Sequence, residues 1–193
     1  MIWPPAILTG PSGVGKGTVV AGLVARCPEV WVSVSATTRP PRPGERPGLS
    51  YHFCSEAEFD HLIEQDRLLE WATVHGRARY GTPAEPVLRA MAAGRQVLLE
   101  LDLAGARSAK ARLAEARSVF LAPPSWPELV RRLSGRGTES PADQARRLAT
   151  ARAELACADE FDVVLINREV DETVAALVEF LGFCHGPNDQ DQE

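Results

Sequence analysis

The sequence predicts an α/β fold, a parallel sheet core flanked by helices and interrupted by one inserted, β-rich lobe. Three observations predict it. First, the apolar run Ala6-Ile7-Leu8 leads into a glycine-rich segment, Gly10–Thr18, and then into a second apolar run, Val19–Ala25. That is strand, loop and helix. Second, strand-type and helix-type segments alternate at both ends of the chain, as parallel sheets with helical crossovers require. Third, the alternation breaks between about Ser35 and Pro83, where a proline-rich stretch and short β-type runs replace it. The 193 residues suit one domain carrying an insertion. The composition, 45% hydrophobic and 24% charged, is that of an ordinary folded domain.

The loop Gly10-Pro11-Ser12-Gly13-Val14-Gly15-Lys16-Gly17-Thr18 carries the clearest chemistry. Such a loop turns backbone N–H groups inward as a nest for an anion, and the following helix adds positive potential at its N-terminus. Lys16 supplies a mobile cation for terminal phosphates. The spacing Gly10…Gly15-Lys16 fits the phosphate-loop pattern with one departure. Gly17 stands where a Ser or Thr would ligate Mg²⁺, and the hydroxyl comes one place later at Thr18.

Taken in order, the first helix should end near Arg26-Cys27-Pro28, because proline cannot continue it. Val30–Ser35 alternates and is β-rich, so it reads as a strand. Ala36–Gly48 holds four prolines and two glycines, which forbid regular structure, and three arginines. Composition leaves two readings equally open there: a solvated basic loop, or an anion clamp in which Arg39 and Arg42 stand on a stiff chain.

Ser50–Phe53 reads as a short strand, and Ser55 with Glu58 as a capping box opening a helix to about Gln65. Leu68–Val74 is a strand with a carboxylate, Glu70, inside it; Glu70 is either the strand's polar face or a buried acceptor awaiting paired donors. Gly76–Pro83 reads as a turn, followed by a helix to about Gly94. Gln96–Asp102 is the most continuous apolar strand and ends in carboxylates, as suits a strand whose C-terminal edge faces a nucleotide and its metal.

A helix from about Ala104 to Leu113 and a strand Ser118–Ala122 come next. A second capping box, Ser125 to Glu128, starts a helix to about Leu133. The basic stretch Arg131–Gly137 then leads to Ser140-Pro141, an N-cap and first-turn proline, and to a helix carrying Arg146, Arg147 and Arg152. By charge pattern this pair of helices reads as a solvated surface, with Glu128, Glu139 and Asp143 as partners, ahead of a phosphate lid. Phe161–Asn167 is the last strand and Val170–Phe183 the last helix; a disordered tail is expected from Cys184.

The net charge of −5 argues against non-specific wrapping of nucleic acid. The four cysteines form no C-x-x-C pair and point to reduced thiols in a cytoplasmic protein. Neither a signal peptide nor a membrane span is expected from the apolar runs.

With these segments in hand, the chain resembles the guanylate kinases from Ala6 to about Leu181. The resemblance rests on the Gly10–Thr18 loop, the stretch Ser33–Glu45, Leu69–Ala72, Tyr80–Thr82, Leu99–Gly105, Phe120–Ser125, Arg132–Ser140 and Asn167. It implies the fold of a P-loop nucleoside monophosphate kinase. The core would comprise 1–34 and 84–183, the inserted GMP-binding lobe 35–83, and a helical lid about 134–150.

The implied activity is transfer of the γ-phosphoryl group of ATP to GMP (and dGMP), with Mg²⁺, in purine nucleotide metabolism. The resemblance assigns Gly10, Pro11, Ser12, Gly13, Val14, Gly15, Lys16, Gly17, Thr18 and Asn167 to ATP. It assigns Arg39, Arg42, Tyr51 and Tyr80 to the GMP phosphate, and Glu70, Ser35 and Thr82 to the guanine. Glu100 and Asp102 fall near the GMP site and the metal, with Asp102 acting through water. Lys16, Arg39, Arg132, Arg136 and Arg147 would neutralise the transferring group. Two other classes compete: an interaction module of the same family that has lost catalysis, and a kinase for another small phosphoryl acceptor. Retention of Lys16, Arg39, Arg42 and the lid arginines weighs against the first, and the Glu70, Ser35 and Thr82 set against the second. The segment Gly76–Gly81 is one residue longer than the common form, and Ala104 stands where the family usually has Gln.

Overall fold

The computed structural model describes residues 3–74, 78–134 and 141–183, with the backbone alone for 141–143. The expectations for Arg136, for the Arg77 end of the Arg77–Tyr80 segment, for Ser140 as a cap and for the 184–193 tail lie outside the described residues. The first half of the chain runs β1 (Ala6–Thr9), α1 (Lys16–Arg26), β2 (Val30–Val32), β3 (Ala36–Thr37), β4 (His52–Phe53), α2 (Glu56–Glu64), β5 (Leu68–Val74) and β6 (Ala78–Pro83). The second half runs α3 (Ala84–Ala92), β7 (Gln96–Glu100), α4 (Leu103–Arg112), β8 (Arg117–Ala122), α5 (Trp126–Ser134), α6 (Pro141–Leu155), β9 (Val163–Ile166) and α7 (Val170–Leu181).

Two sheets result. The larger is parallel, in the order β2-β7-β1-β8-β9. Every residue of β1 is buried, which explains why it reads as an unbroken apolar run instead of alternating. One hydrophobic cluster, with Leu8, Val19, Leu23, Leu121, Leu129 and Leu177, packs α1, α5 and α7 on one face. A second, with Ile7, Val87, Leu99, Ala106 and Ala109, packs α3 and α4 on the other. The strand order diverges on either side of β1, so the loop after β1 opens at the crevice where α/β sheets bind ligands.

The smaller sheet, in the order β4-β3-β6-β5, lies within residues 36–83. Its own small core is Ala36, Phe59 and Leu68. Strand β5 joins the two regions: Leu68 points into this small core, whereas its neighbour Leu69 belongs to the cluster under the main sheet. On the same junction, Arg112 of α4 donates to Leu68 O at 3.0 Å and to Asp66 Oδ1 at 2.8 Å.

Several expectations need correction. The strand expected over 30–35 stops at Val32: β2 pairs in the main sheet, residues 33–35 carry the chain on, and β3, at the start of the stretch expected to hold no regular structure, pairs in the small sheet. The turn expected at Gly76–Pro83 contains strand β6, antiparallel to β5 from Ala78 to Pro83. Pairing overrides the turn chemistry of Gly81 and Pro83 there. Gly81 has a packing reason: a Cβ would lie 2.9 Å from Glu70 O.

The first capping box is complete, with Ser55 and Glu58 bonding each other's backbone. The second is not. Ser125 Oγ accepts weakly from Glu128 N–H at 3.4 Å, while the Glu128 carboxylate turns to Arg131 and Arg132 instead. Nor are all the cysteines thiols. Cys54 and Cys157 are free, but Cys27 is disulfide-bonded. Cys27 is fully buried where α1 ends and shares its cluster with Leu181 and Phe183, at the end of the packed helix α7. Helix packing of this kind leaves no local pattern in the sequence. Among the described residues, no helix is long and apolar enough to cross a membrane.

Candidate active site

The glycine loop owes its shape to its three crowded glycines. Gly10, Gly13 and Gly15 all have positive φ, at 145°, 81° and 103°. A Cβ on Gly10 would lie 2.2 Å from Leu121 O, and one on Gly15 would lie 2.7 Å from Asn167 Nδ2. Only glycine satisfies both the backbone angle and the space. Gly15 is the N-cap of α1 and offers no side-chain acceptor, so the first helical amides, from Lys16 and Gly17, face the crevice without helical partners.

Lys16 curls back, its Nζ donating to Gly10 O at 2.6 Å. Burial lowers its pKa, opposed by Glu100, Glu154 and Asp102, whose charges raise it. Glu100 closes β7 and Asp102 caps α4, accepting from Gly105 N–H at 2.7 Å. Burial raises the pKa of Glu100, with Lys16 acting against it. Glu154, on α6, had no role in the sequence reading. Burial raises its pKa too, while Lys16 and the Ser12 N–H favour its charged form.

The helices α5 and α6 grip the loop from the other side. Arg132 donates to Val14 O at 3.0 Å and to Glu128 Oε1 at 2.8 Å. Arg147 donates to Ser12 Oγ at 2.9 Å. Its neighbour Arg146 is exposed. The solvated surface favoured by charge pattern therefore gives way at Arg132 and Arg147, which face the loop. Asn167, buried after β9, donates to Val14 O at 2.8 Å and accepts from Thr173 Oγ1 at 3.1 Å.

In the small sheet, Arg39 is fixed at three atoms. Its Nε donates to Tyr80 Oη at 3.1 Å, its Nη1 to Pro40 O at 2.7 Å, and its Nη2 to Glu45 Oε1 at 2.8 Å. Its guanidinium carbon lies 5.3 Å from the Tyr51 ring centroid, a cation–π contact. Glu45 foremost, and Tyr80 after it, raise its pKa still further. Tyr51 and Tyr80 meet edge to face at 5.8 Å. Glu45 also accepts from Arg42 N–H at 2.7 Å, so one carboxylate braces both arginines. Its place within Ser33–Glu45 was the only sequence signal for that role. Arg42 itself is exposed.

Glu70 is buried, and its Oε1 accepts from the Thr82 hydroxyl at 2.6 Å. A bulge in β5 between Leu68 and Glu70 sets it directly opposite Thr82. Such bulges re-aim a side chain. Burial raises its pKa to about 7, with a further contribution from Asp102. Ser35, half-buried, precedes β3 and accepts from His52 N–H through its backbone oxygen. Gly105 ties Glu70 to the main sheet: a Cβ there would lie 2.7 Å from Glu70 Oε2 and 3.2 Å from Asp102 Oδ1. The buried carboxylate of the small sheet thus stands beside the carboxylates at the end of β7, which in turn surround Lys16.

Among the described residues, no three His, Cys, Asp or Glu side chains stand close enough to hold a metal directly. The space above Gly17 is open, with nothing within 4 Å of a Cβ. The surroundings nevertheless fit a hydrated Mg²⁺, which keeps several waters and binds through few carboxylates plus phosphates. The carboxylates are present, and Glu154 Oε2 is a buried oxygen without a hydrogen-bond partner.

Known proteins of one family match this chain. The profile described as Guanylate kinase matches residues 4–182. A guanylate kinase of Thermobifida fusca (strain YX) is 61% identical over 172 residues, covering 89% of this chain and 87% of the relative. One of Nocardia farcinica (strain IFM 10152) is 60% identical over 173 residues, covering 89% and 90%. The crystal structure of guanylate kinase from Anaplasma phagocytophilum superposes with a TM-score of 0.77 at 29% identity, covering 94% of this chain and 85% of that one. With a profile matched nearly end to end and relatives this similar over most of both chains, the chain belongs to the guanylate kinase family.

Proposed function

We infer that the chain works as a guanylate kinase, transferring the γ-phosphoryl group of ATP to GMP to give ADP and GDP. One observation carries the reading. Gly105 brings Glu70, buried and poised near neutrality, against Asp102, and Asp102 shares the field of Lys16. A base-reading carboxylate and a phosphate cradle are thereby adjacent.

Residues 35–83 serve as the acceptor lobe, and about 134–150 as the lid of a core made from 1–34 and 84–183. Arg39 and Arg42 hold the GMP phosphate with Tyr51 and Tyr80, and Glu45 keeps Arg39 in place. Glu70 accepts from guanine N1–H and the 2-amino group. In the free protein the Thr82 hydroxyl occupies Glu70 Oε1. On binding, guanine N1–H takes over that acceptor and Thr82 turns with Ser35 to O6. Adenine has neither donor and would leave Glu70 unpaired. A site built to pair substrate donors rejects such an analogue by about 10⁴-fold. dGMP carries the same base and phosphate and is accepted as well.

No general base is needed. The GMP phosphate is largely ionised at pH 7, its second pKa being about 6, and its oxygen attacks directly. Catalysis is then alignment and neutralisation. Lys16 leaves Gly10 O for the terminal phosphates, beside the free amides of α1. Arg132, Arg136 and Arg147 close on the transferring group and exclude water. Asn167 acts on ATP by fixing Val14 and hence the loop. Bound with ATP, Mg²⁺ would neutralise phosphate charge, held through water by Asp102 with Glu100 nearby. This chemistry belongs in the cytoplasm, with purine nucleotide recycling.

The test follows the label. With γ-³²P-ATP, Mg²⁺ and GMP, label should appear in GDP. Label only in inorganic phosphate, or none transferred by folded protein, would overturn the reading.

A further inference from the structure

Glu154 is half-buried, and the account above leaves its carboxylate without a task. It sits on α6, seven residues after Arg147, two helical turns along the same face. That face is turned to the phosphate loop, since Arg147 meets Ser12 Oγ and Glu154 is favoured in its charged form by the Ser12 N–H. Glu154 also shares Lys16 with Asp102, and the charges of both carboxylates reach that amine. Yet its Oε2 is shut off from solvent and has no hydrogen-bond partner. A buried acceptor without a donor costs free energy, more when it is charged. Such an atom calls for an explanation, and a water or ion that binds beside it is one.

Gly17 supplies the reason for the donor's identity. Without the usual hydroxyl, one more water must stay on the metal, and that water needs an acceptor. We propose that Glu154 is a positioning residue of the ATP site, its Oε2 accepting from a water of the Mg²⁺ bound with ATP. The proposal rests on the ATP-site reading given above.

The test compares binding of a fluorescent mant-ATP analogue to the full chain in EDTA and in saturating Mg²⁺. Glu154→Gln keeps the length and an oxygen for the Ser12 N–H, but offers an amide in place of Oε2. It should lose about tenfold in affinity with Mg²⁺, as partners of bound metal water do, and nothing in EDTA. Glu154→Asp, shorter but still charged, should show a smaller loss confined to Mg²⁺, and it carries the test if the Gln variant does not fold. Adding Gly17→Ser to Glu154→Gln should recover part of the loss by restoring a direct ligand. Equal losses in both buffers, or no loss in either, would overturn the proposal. Wild-type protein that binds the analogue in neither buffer would refute the kinase reading itself.

Discussion

Truncating Glu70 to alanine isolates base recognition. The side chain is buried, so water does not replace it readily, and guanine would lose two hydrogen bonds to a charged acceptor. Each is worth about 1.5–3 kcal/mol. The sum, roughly 3–6 kcal/mol, corresponds to a fall of about 10²–10⁴-fold in kcat/KM for GMP. The KM for ATP should stay within about twofold, because the proposed function gives Glu70 to the other nucleotide. A pH dependence follows from the same geometry. With its pKa raised to about 7, Glu70 is mostly protonated in free protein at pH 6. Binding guanine requires the ionised form, so apparent GMP affinity should fall about tenfold per pH unit below 7. The GMP phosphate titrates near 6 and adds its own loss, so Glu70→Gln is the control: the limb near pH 7 should vanish and the phosphate's remain. A coupled ADP-release assay over pH 5.5–8.5 reads all of this. Equal losses toward GMP and ATP, or an unchanged limb in Glu70→Gln, would refute the reasoning.

Stability should move the other way. Glu70 is an acid whose folded pKa, about 7, lies above its ordinary 4.5, so its contribution is fully present below pH 4.5 and lost as pH rises through 7. Glu70→Gln should therefore stabilise nucleotide-free protein at pH 8, by up to roughly 3 kcal/mol, with little change at pH 4, measured by urea unfolding. Gly105→Ala should favour α4 by up to about 1 kcal/mol. Its Cβ would nevertheless displace Glu70 Oε2, 2.7 Å away, and raise the KM for GMP about tenfold or more. Gly17→Ser meets no clash and should lower the Mg²⁺ concentration needed for half-maximal rate; an unchanged requirement would show that the missing hydroxyl is immaterial. Asn167→Ala breaks the bridge from Val14 to Thr173, costing about 1–3 kcal/mol of stability and raising the KM for ATP, visible in melting curves and initial rates.

Much of the fold is legible because its signals are local. The β1 run, the loop glycines, the Ser55–Glu58 box and the apolar stretch of β7 each state their structure within a few residues. What escaped is non-local. Strand β6 looks like a turn because Gly81 and Pro83 are turn residues, and only pairing with β5 makes it a strand. The full burial of Cys27 depends on α1 packing against α7. Within the site, Arg39 and Glu70 stood out by residue type and setting. Glu45, Glu154 and Gly105 did not, since each acts on another side chain far along the chain, apart from Glu45's place six residues after Arg39. The seven-residue spacing of Arg147 and Glu154 was readable, and it puts both on one face of α6.

The central claim is that Glu70 and the Gly10–Thr18 loop together make an enzyme that reads guanine. The most direct measurement is the ratio of kcat/KM for GMP to that for AMP, on the same folded protein with saturating ATP and Mg²⁺. The account predicts a ratio of about 10⁴, with dGMP close to GMP. A ratio near one, or no turnover of GMP, would contradict it.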